Sequence, residues 1–440
     1  MRVLLILLVL GPTLRSEDGP KPEEDKRQVP AVTERCAELS KAIEALLGPK
    51  FARPVPVHVI NEDFIARFAK ETEERLVPKE IRDAAEKLAV RLKQVPAGYD
   101  MAKAQLKLLR RMVAGLYDPD LKCYYVVDGK GEPGGMTFDM TAAHELGHAY
   151  RDVDKDYWKR TKASILTDED RAIAVTCLVE GDAELIGQSI GVAMNTGGDV
   201  EKVIPSVIAS AKLAPRQTAA AAANPMMREF PLSMREMLVT RYLIGQAFAA
   251  AVYEEGGWGA LERAFDDPPR STEQVLHPAK YIGPNKDEPT LFAGGDPAKA
   301  LGDDWRNIYS NTMGEFMVRV HFTEALGRRR ATKVAEGWDG MRYHLCEQTG
   351  GALFFGLIST WDSEADAAEF ARAWADWASS RDDKDKPRVI KSTDSGHSID
   401  TADGLVVVTR IGQDVVVSDG VPADRVASVS KALRAAKRAE

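Results

Sequence analysis

Residues 143–150 read AHELGHAY and carry the pattern H-E-x-x-H at His144, Glu145 and His148. On a helix, positions four apart share a face, so the two imidazoles can converge on one ion. Glu145, rotated about 100° from His144, can reach water bound to that ion. The pattern therefore demands a helix, and the sequence predicts one over roughly 138–150, entered through the Gly- and Pro-rich loop 129–135. Two imidazoles are too few for a catalytic zinc, which takes three protein ligands and leaves a fourth position to water.

The third ligand is sought downstream, on a helix predicted from near Thr167, where Thr167 and Asp170 form a capping box, to about Gly191. It contains CLVEGDAELIG, in which Glu180 is flanked by Leu178, Val179 and Ala183. A carboxylate in so apolar a run is costly to bury unless something pairs it, and zinc would. Glu184 lies one turn further on the same face, where it could accept the second N–H of a ligand histidine and fix its tautomer. Asp182 and Glu184 also stay open as third ligands. Cys177 reads as a buried core thiol. Asp152, Asp154 and Asp156 imitate the start of a calcium loop, but Tyr157 stands where that loop needs Gly and Ala163 where it needs an acid.

Outward from these two helices the chain divides by composition. Arg2 precedes an apolar run over 3–10 followed by Gly11 and Pro12, the layout of a signal peptide over 1–16, with a charged linker over 17–30. Eight apolar residues cannot span a bilayer, which needs about 20. A helix is predicted at 33–47, a strand at 54–61, several helices within 63–116 and a strand at 122–127, KCYYVV. Helices follow at 206–223 and 233–254, and the Pro-, Gly- and Asp-rich segment 266–297 reads as a long functional loop. The aromatic stripe of Tyr242, Phe248 and Tyr253 reads as a packing face. From Trp338 the pattern changes to strands at 341–348 and 352–361, a helix at 363–379, a hairpin at 404–410 and 414–418, and a final helix.

The 440 residues are 44% hydrophobic and 29% charged, the balance of a soluble globular protein. A net charge of −8 argues against a nucleic-acid binder that works through a basic surface. The expected setting is secreted or periplasmic, with no stable membrane insertion once the signal is cleaved. Four cysteines, none in a C-x-x-C pair, leave both disulfides and free thiols open.

At His144, Glu145, His148 and Glu180 the sequence resembles the gluzincins, the thermolysin-like zinc metallopeptidases. The resemblance implies His144, His148 and Glu180 as Zn2+ ligands, Glu145 as general base and Glu184 as an acidic partner behind the ligands. It also implies that the strand 122–127 is the edge strand that pairs with extended substrate. A looser resemblance to uncharacterised secreted bacterial gluzincin-like proteins runs through YDP at 117–119, EGDA at 180–183 and STEQVLHPAKY at 271–281. In that last segment His277 and Tyr281 are the implied donors to a developing oxyanion.

The expected fold class is α+β, with a mostly helical zincin-like domain over 31–337 containing a small sheet and a smaller α+β domain over 338–440. The expected function is a secreted zinc metallopeptidase acting on a peptide or protein substrate. The alternatives are a zinc amidase acting on cell-wall peptide and a non-catalytic, zinc-stabilised binding protein.

Overall fold

The apolar run at 122–127 forms β3, Cys123–Val127, and every one of its residues is buried. Alternation along a strand sends Cys123, Tyr125 and Val127 into one apolar cluster with Ile60 and Phe64, and Tyr124 and Val126 into another with Leu39 and Leu146. A strand covered on both faces sits inside its sheet. The order is β1-β3-β2, with β1 (Val57–Ile60) parallel to β3 and β2 (Gly115–Asp118) antiparallel to it. The expected edge strand is thus the central one, and β2 takes the edge instead.

The computed structural model describes residues 26–155, 157–284, 286–383 and 386–439. The expected signal peptide at 1–16, and the linker up to residue 25, lie outside the described residues. Before the H-E-x-x-H motif stand helices Pro30–Leu47, Glu62–Leu76, Lys79–Arg91 and Met101–Met112. Asn61 caps the second by accepting from the Phe64 N–H at 2.8 Å, and Asp100 caps the fourth by accepting from Lys103 at 2.9 Å.

The motif lies on helix Met136–Asp152, which packs against the 28-residue helix Glu169–Thr196. That long helix is buried on almost every side, as expected of one that is apolar all round. Its cap is Asp168, which accepts from the Arg171 N–H at 3.1 Å, and not the expected Thr167–Asp170 box. Asp170 turns away to accept from the Thr272 N–H and hydroxyl at 3.0 and 2.6 Å. Two contacts set how close its neighbours come. A Cβ at Gly187 would lie 2.6 Å from the Met140 carbonyl oxygen, and one at Gly181 would lie 2.0 Å from that of Gly245, on helix Leu232–Glu254. Bare backbone at these crossings brings both flanking helices against the residues around Glu180.

The segment 266–297 contains helix Thr272–Leu276 and the short β4, Leu291–Ala293, which pairs with β12, Lys437–Ala439. Beyond it β5 (Trp305–Asn311), β6 (Trp338–Gln348), β7 (Leu353–Trp361), β8 (Ile390–Thr393), β9 (Gly396–Thr401), β10 (Gly404–Ile411) and β11 (Asp414–Val421) form an antiparallel sheet. Its order is β5-β6-β7-β11-β10-β9-β8. Phe355 and Leu357 face Phe370 and Trp374 of helix Glu364–Ser380, while Phe354 and Ile358 face Val429 and Leu433 of helix Val426–Arg434.

The sheet takes in β5, upstream of the expected boundary at Trp338, and one apolar cluster runs from Val77 to Val417 across that point. Arg91, from the helical part, and Arg381 both pair with the fully buried Asp419 of β11. The fold is α+β. Among the described residues no helix is long and apolar enough to cross a membrane.

Candidate metal centre

One helical turn brings the Nε2 atoms of His144 and His148 to 3.1 Å from each other. Glu180 Oε2 completes a triangle, 3.2 Å from His144 Nε2 and 3.7 Å from His148 Nε2. Ligand atoms placed tetrahedrally around zinc, with bonds of about 2.0–2.1 Å, are about 3.3 Å apart. The three contacts scatter around that value, and the donor set of two neutral imidazoles and a carboxylate is one zinc takes. Glu180 is 1% exposed, and its Oε1 has no hydrogen-bond partner among the described residues. Burial opposes charge on Glu180, yet the facing imidazoles hold its carboxyl down at about 2. Burial opposes charge on His144 as well, and Glu180, Glu184 and Glu145 nevertheless lift it to about 9. The three ligand atoms lie close enough together that they could hold one metal ion.

The two other acidic candidates separate. Asp182 accepts two hydrogen bonds from the buried Arg151, each 2.8 Å, and so faces away from the imidazoles. Glu184 Oε1 lies 3.5 Å from His144 Nδ1, and its Oε2 accepts from Gln188 at 2.9 Å. It stands behind His144, where an acceptor for the second imidazole nitrogen belongs.

Glu145 stays out of the triangle. Its Oε2 accepts from the backbone N–H of Tyr117 at 2.7 Å. Because N–H and C=O groups of alternate strand residues point the same way, the outward groups of β2 belong to Tyr117 and Gly115. The edge strand therefore runs alongside the H-E-x-x-H helix and holds Glu145.

Two tyrosines that the sequence did not single out for chemistry flank the cluster. The Tyr157 ring is 6.4 Å from that of His148, and the Tyr242 ring is 6.2 Å from that of His144. Burial pushes both phenols well above their ordinary range, and the nearby carboxylates of Glu180 and Glu145 push the same way. Both keep their protons at neutral pH and can donate. Tyr242 had read as packing. A faint signal was available in Gly245, three residues on along the same helix, which marks the close crossing over Glu180. Tyr157 carries no such mark.

His277 and Tyr281 are committed elsewhere. His277 Nε2 is 2.9 Å from Glu315 Oε1, and the Tyr281 hydroxyl donates to the Asp267 carbonyl at 2.7 Å while its ring packs on Phe248. Their segment is anchored by Thr272 to Asp170, ten residues before Glu180, or about 15 Å of helix rise away. Among the described residues no hydrogen bond, ion pair or ring contact joins either to the cluster.

The remaining histidines have local partners: His58 meets Gln28, His344 meets Ser310, His397 meets Ser392, and His321 lies among Trp374, Trp377 and Phe322. All four cysteines are free and buried. Asp152 takes hydrogen bonds from Tyr117 and Lys122, and Asp154 pairs with Lys50.

A family model described as a domain of unknown function, DUF8575, matches residues 304–430, which span the seven-stranded sheet and leave the His144–His148–Glu180 cluster outside. Comparison with curated proteins and with solved structures finds no match.

Proposed function

We propose that this chain is a zinc-dependent metallopeptidase that works outside the cytoplasm. The observation that carries the reading is the convergence of His144, His148 and Glu180 at zinc-ligand spacing with Glu145 beside them and outside the triangle. A zinc held by the three supplies Lewis acidity toward water and a substrate carbonyl.

The chain's own groups do the rest. Tyr117 fixes one oxygen of Glu145, leaving the other to take a proton from water and return it to the leaving amine. Glu184 Oε1, 3.5 Å from His144 Nδ1, favours a proton on that nitrogen, which leaves the Nε2 lone pair to face the centre of the cluster. The protonated hydroxyls of Tyr157 and Tyr242 donate to the oxygen on which negative charge develops. The apolar run after Arg2 supports export, which places the substrate in a secreted or periplasmic setting.

The test compares wild type with Glu145→Gln for hydrolysis of a broad peptide library. The expected result is cleavage by the wild type and a loss of about 10²- to 10⁴-fold in the variant at equal zinc content. A wild type that binds zinc yet cleaves no member of the library would favour a zinc-stabilised binding protein instead.

A further inference from the structure

Helices Glu62–Leu76, Lys79–Arg91 and Met101–Met112 flank an open cavity of about 1080 Å³ to which no residue of the metal cluster contributes. Its size is at the upper end of the range for small-molecule sites. Its lining is charged with both signs and includes no aromatic ring, which removes the stacking surface that a nucleobase or other flat ring would use.

Most of these charges are already matched. Lys107 and Arg111 pair with Glu229, Arg110 with Asp63, Lys130 with Glu62, Lys79 with Asp83, and Lys70 with Glu74. What is left over carries both signs. Arg82 and Lys103 make no ion pair among the described residues, and neither do Glu73, Glu86 and Asp100. Two of the lining groups also have buried donors without acceptors. Gln105 is 1% exposed and its Nε2 has no partner, and Arg82 Nη1 is likewise buried and unmatched. A buried donor is costly to leave unsatisfied, so such groups mark positions where an acceptor belongs. The positive charge of Arg82 acts on Glu73, so the two lie within electrostatic reach of each other.

We propose that this cavity binds a small zwitterion carrying both a carboxylate and an ammonium group, of the class of free amino acids and short peptides. The carboxylate accepts from Arg82 and Gln105, with Lys103 adding positive charge, and the ammonium lies toward Glu73 and Glu86. A planar guanidinium and a primary amide are both suited to a carboxylate acceptor. A simple anion would leave the two carboxylates unmatched, and a simple cation would leave Arg82 and Gln105 unmatched.

The test is calorimetric titration of the full chain with Ala-Ala, with N-acetyl-Ala-Ala, which lacks the ammonium, and with Ala-Ala amide, which lacks the carboxylate. Each titration is repeated in chelator, so that binding at the metal cluster is separated from binding here. Saturable binding of Ala-Ala that persists in chelator is expected, at least tenfold weaker for each blocked form. Arg82→Met and Gln105→Leu should each weaken Ala-Ala binding at least tenfold. Gln105→Leu removes an unmatched buried amide and should leave the unliganded protein at least as stable, and Arg82→Met gives an independent reading. Absence of saturable Ala-Ala binding in chelator, equal affinity for the three compounds, or indifference to both substitutions would overturn the proposal.

Discussion

The backbone N–H of Tyr117 donates to Glu145 Oε2 at 2.7 Å, tying the base on the H-E-x-x-H helix to the edge strand of a three-stranded sheet. That tie fixes where the Glu145 carboxylate stands relative to the His144 and His148 imidazoles.

Shortening the base tests that positioning. Glu145→Asp keeps a carboxylate but cannot both hold the Tyr117 N–H and reach the water. It should bind zinc as the wild type does and lose about 10²-fold in kcat, a scale typical of an ångström of misplacement. Steady-state kinetics with zinc analysis on the same sample would check this, and an unaltered kcat would refute the tether.

Glu184 and Asp182, two residues apart, should behave oppositely. Glu184→Gln removes the carboxylate behind His144 Nδ1 and should weaken zinc binding about 10- to 100-fold with little effect on stability. Asp182→Asn strips a buried partner from Arg151 and should destabilise the fold by about 3 kcal/mol while sparing the zinc affinity of the folded protein. Chelator competition and denaturant unfolding separate the two, and loss of zinc from folded Asp182→Asn would contradict the assignment of ligands.

For the flanking tyrosines the expectation concerns turnover alone. Tyr242→Phe and Tyr157→Phe each remove a hydroxyl that no protein acceptor claims among the described residues, so stability and zinc content should hold. If either hydroxyl donates to the oxyanion, kcat/KM should fall by about 10²-fold in that variant. Unchanged kcat/KM in both would remove the tyrosines from the chemistry.

His321 should make stability depend on acid. It is buried among Trp374, Trp377 and Phe322, and burial, aided by the charge of Arg381, lowers its pKa to about 3. The unfolded chain, with a histidine near 6.5, takes up a proton first. Its contribution to stability is complete above pH 6.5 and is lost as pH falls toward 3, at about 1.4 kcal/mol per pH unit. His344, lowered to about 4, acts in the same sense over a narrower span. His321→Phe should flatten the wild-type slope between pH 6 and about 4.5 without abolishing it. Equal slopes in denaturant unfolding across that range would rule out this account of His321.

The convergence of His144, His148 and Glu180 was legible because its spacing is local: a four-residue separation on a helix fixes His144 and His148, and an acid in the apolar run LVEGDA exposes Glu180. The strand at 122–127 was legible for its β-branched and aromatic residues. Its place at the centre of the sheet was not, since strand order depends on partners at Val57–Ile60 and Gly115–Asp118 that pattern alone does not connect. Trp305–Asn311 escaped notice because its burial follows no clean alternation. The resemblance implies His277 as an oxyanion donor, whereas its partner Glu315 lies 38 residues further along and belongs to a helix packed beside the loop. Tyr157 and Tyr242 come to the cluster only through helix packing.

The most direct measurement of the central claim is the zinc content of purified protein after exhaustive dialysis, for the wild type beside His148→Ala and Glu180→Ala. About one zinc per chain in the wild type, and loss of it in both variants with the fold retained by circular dichroism, is the result this account predicts. Wild-type protein that takes up no zinc from micromolar solution, or variants that keep it in full, would contradict it.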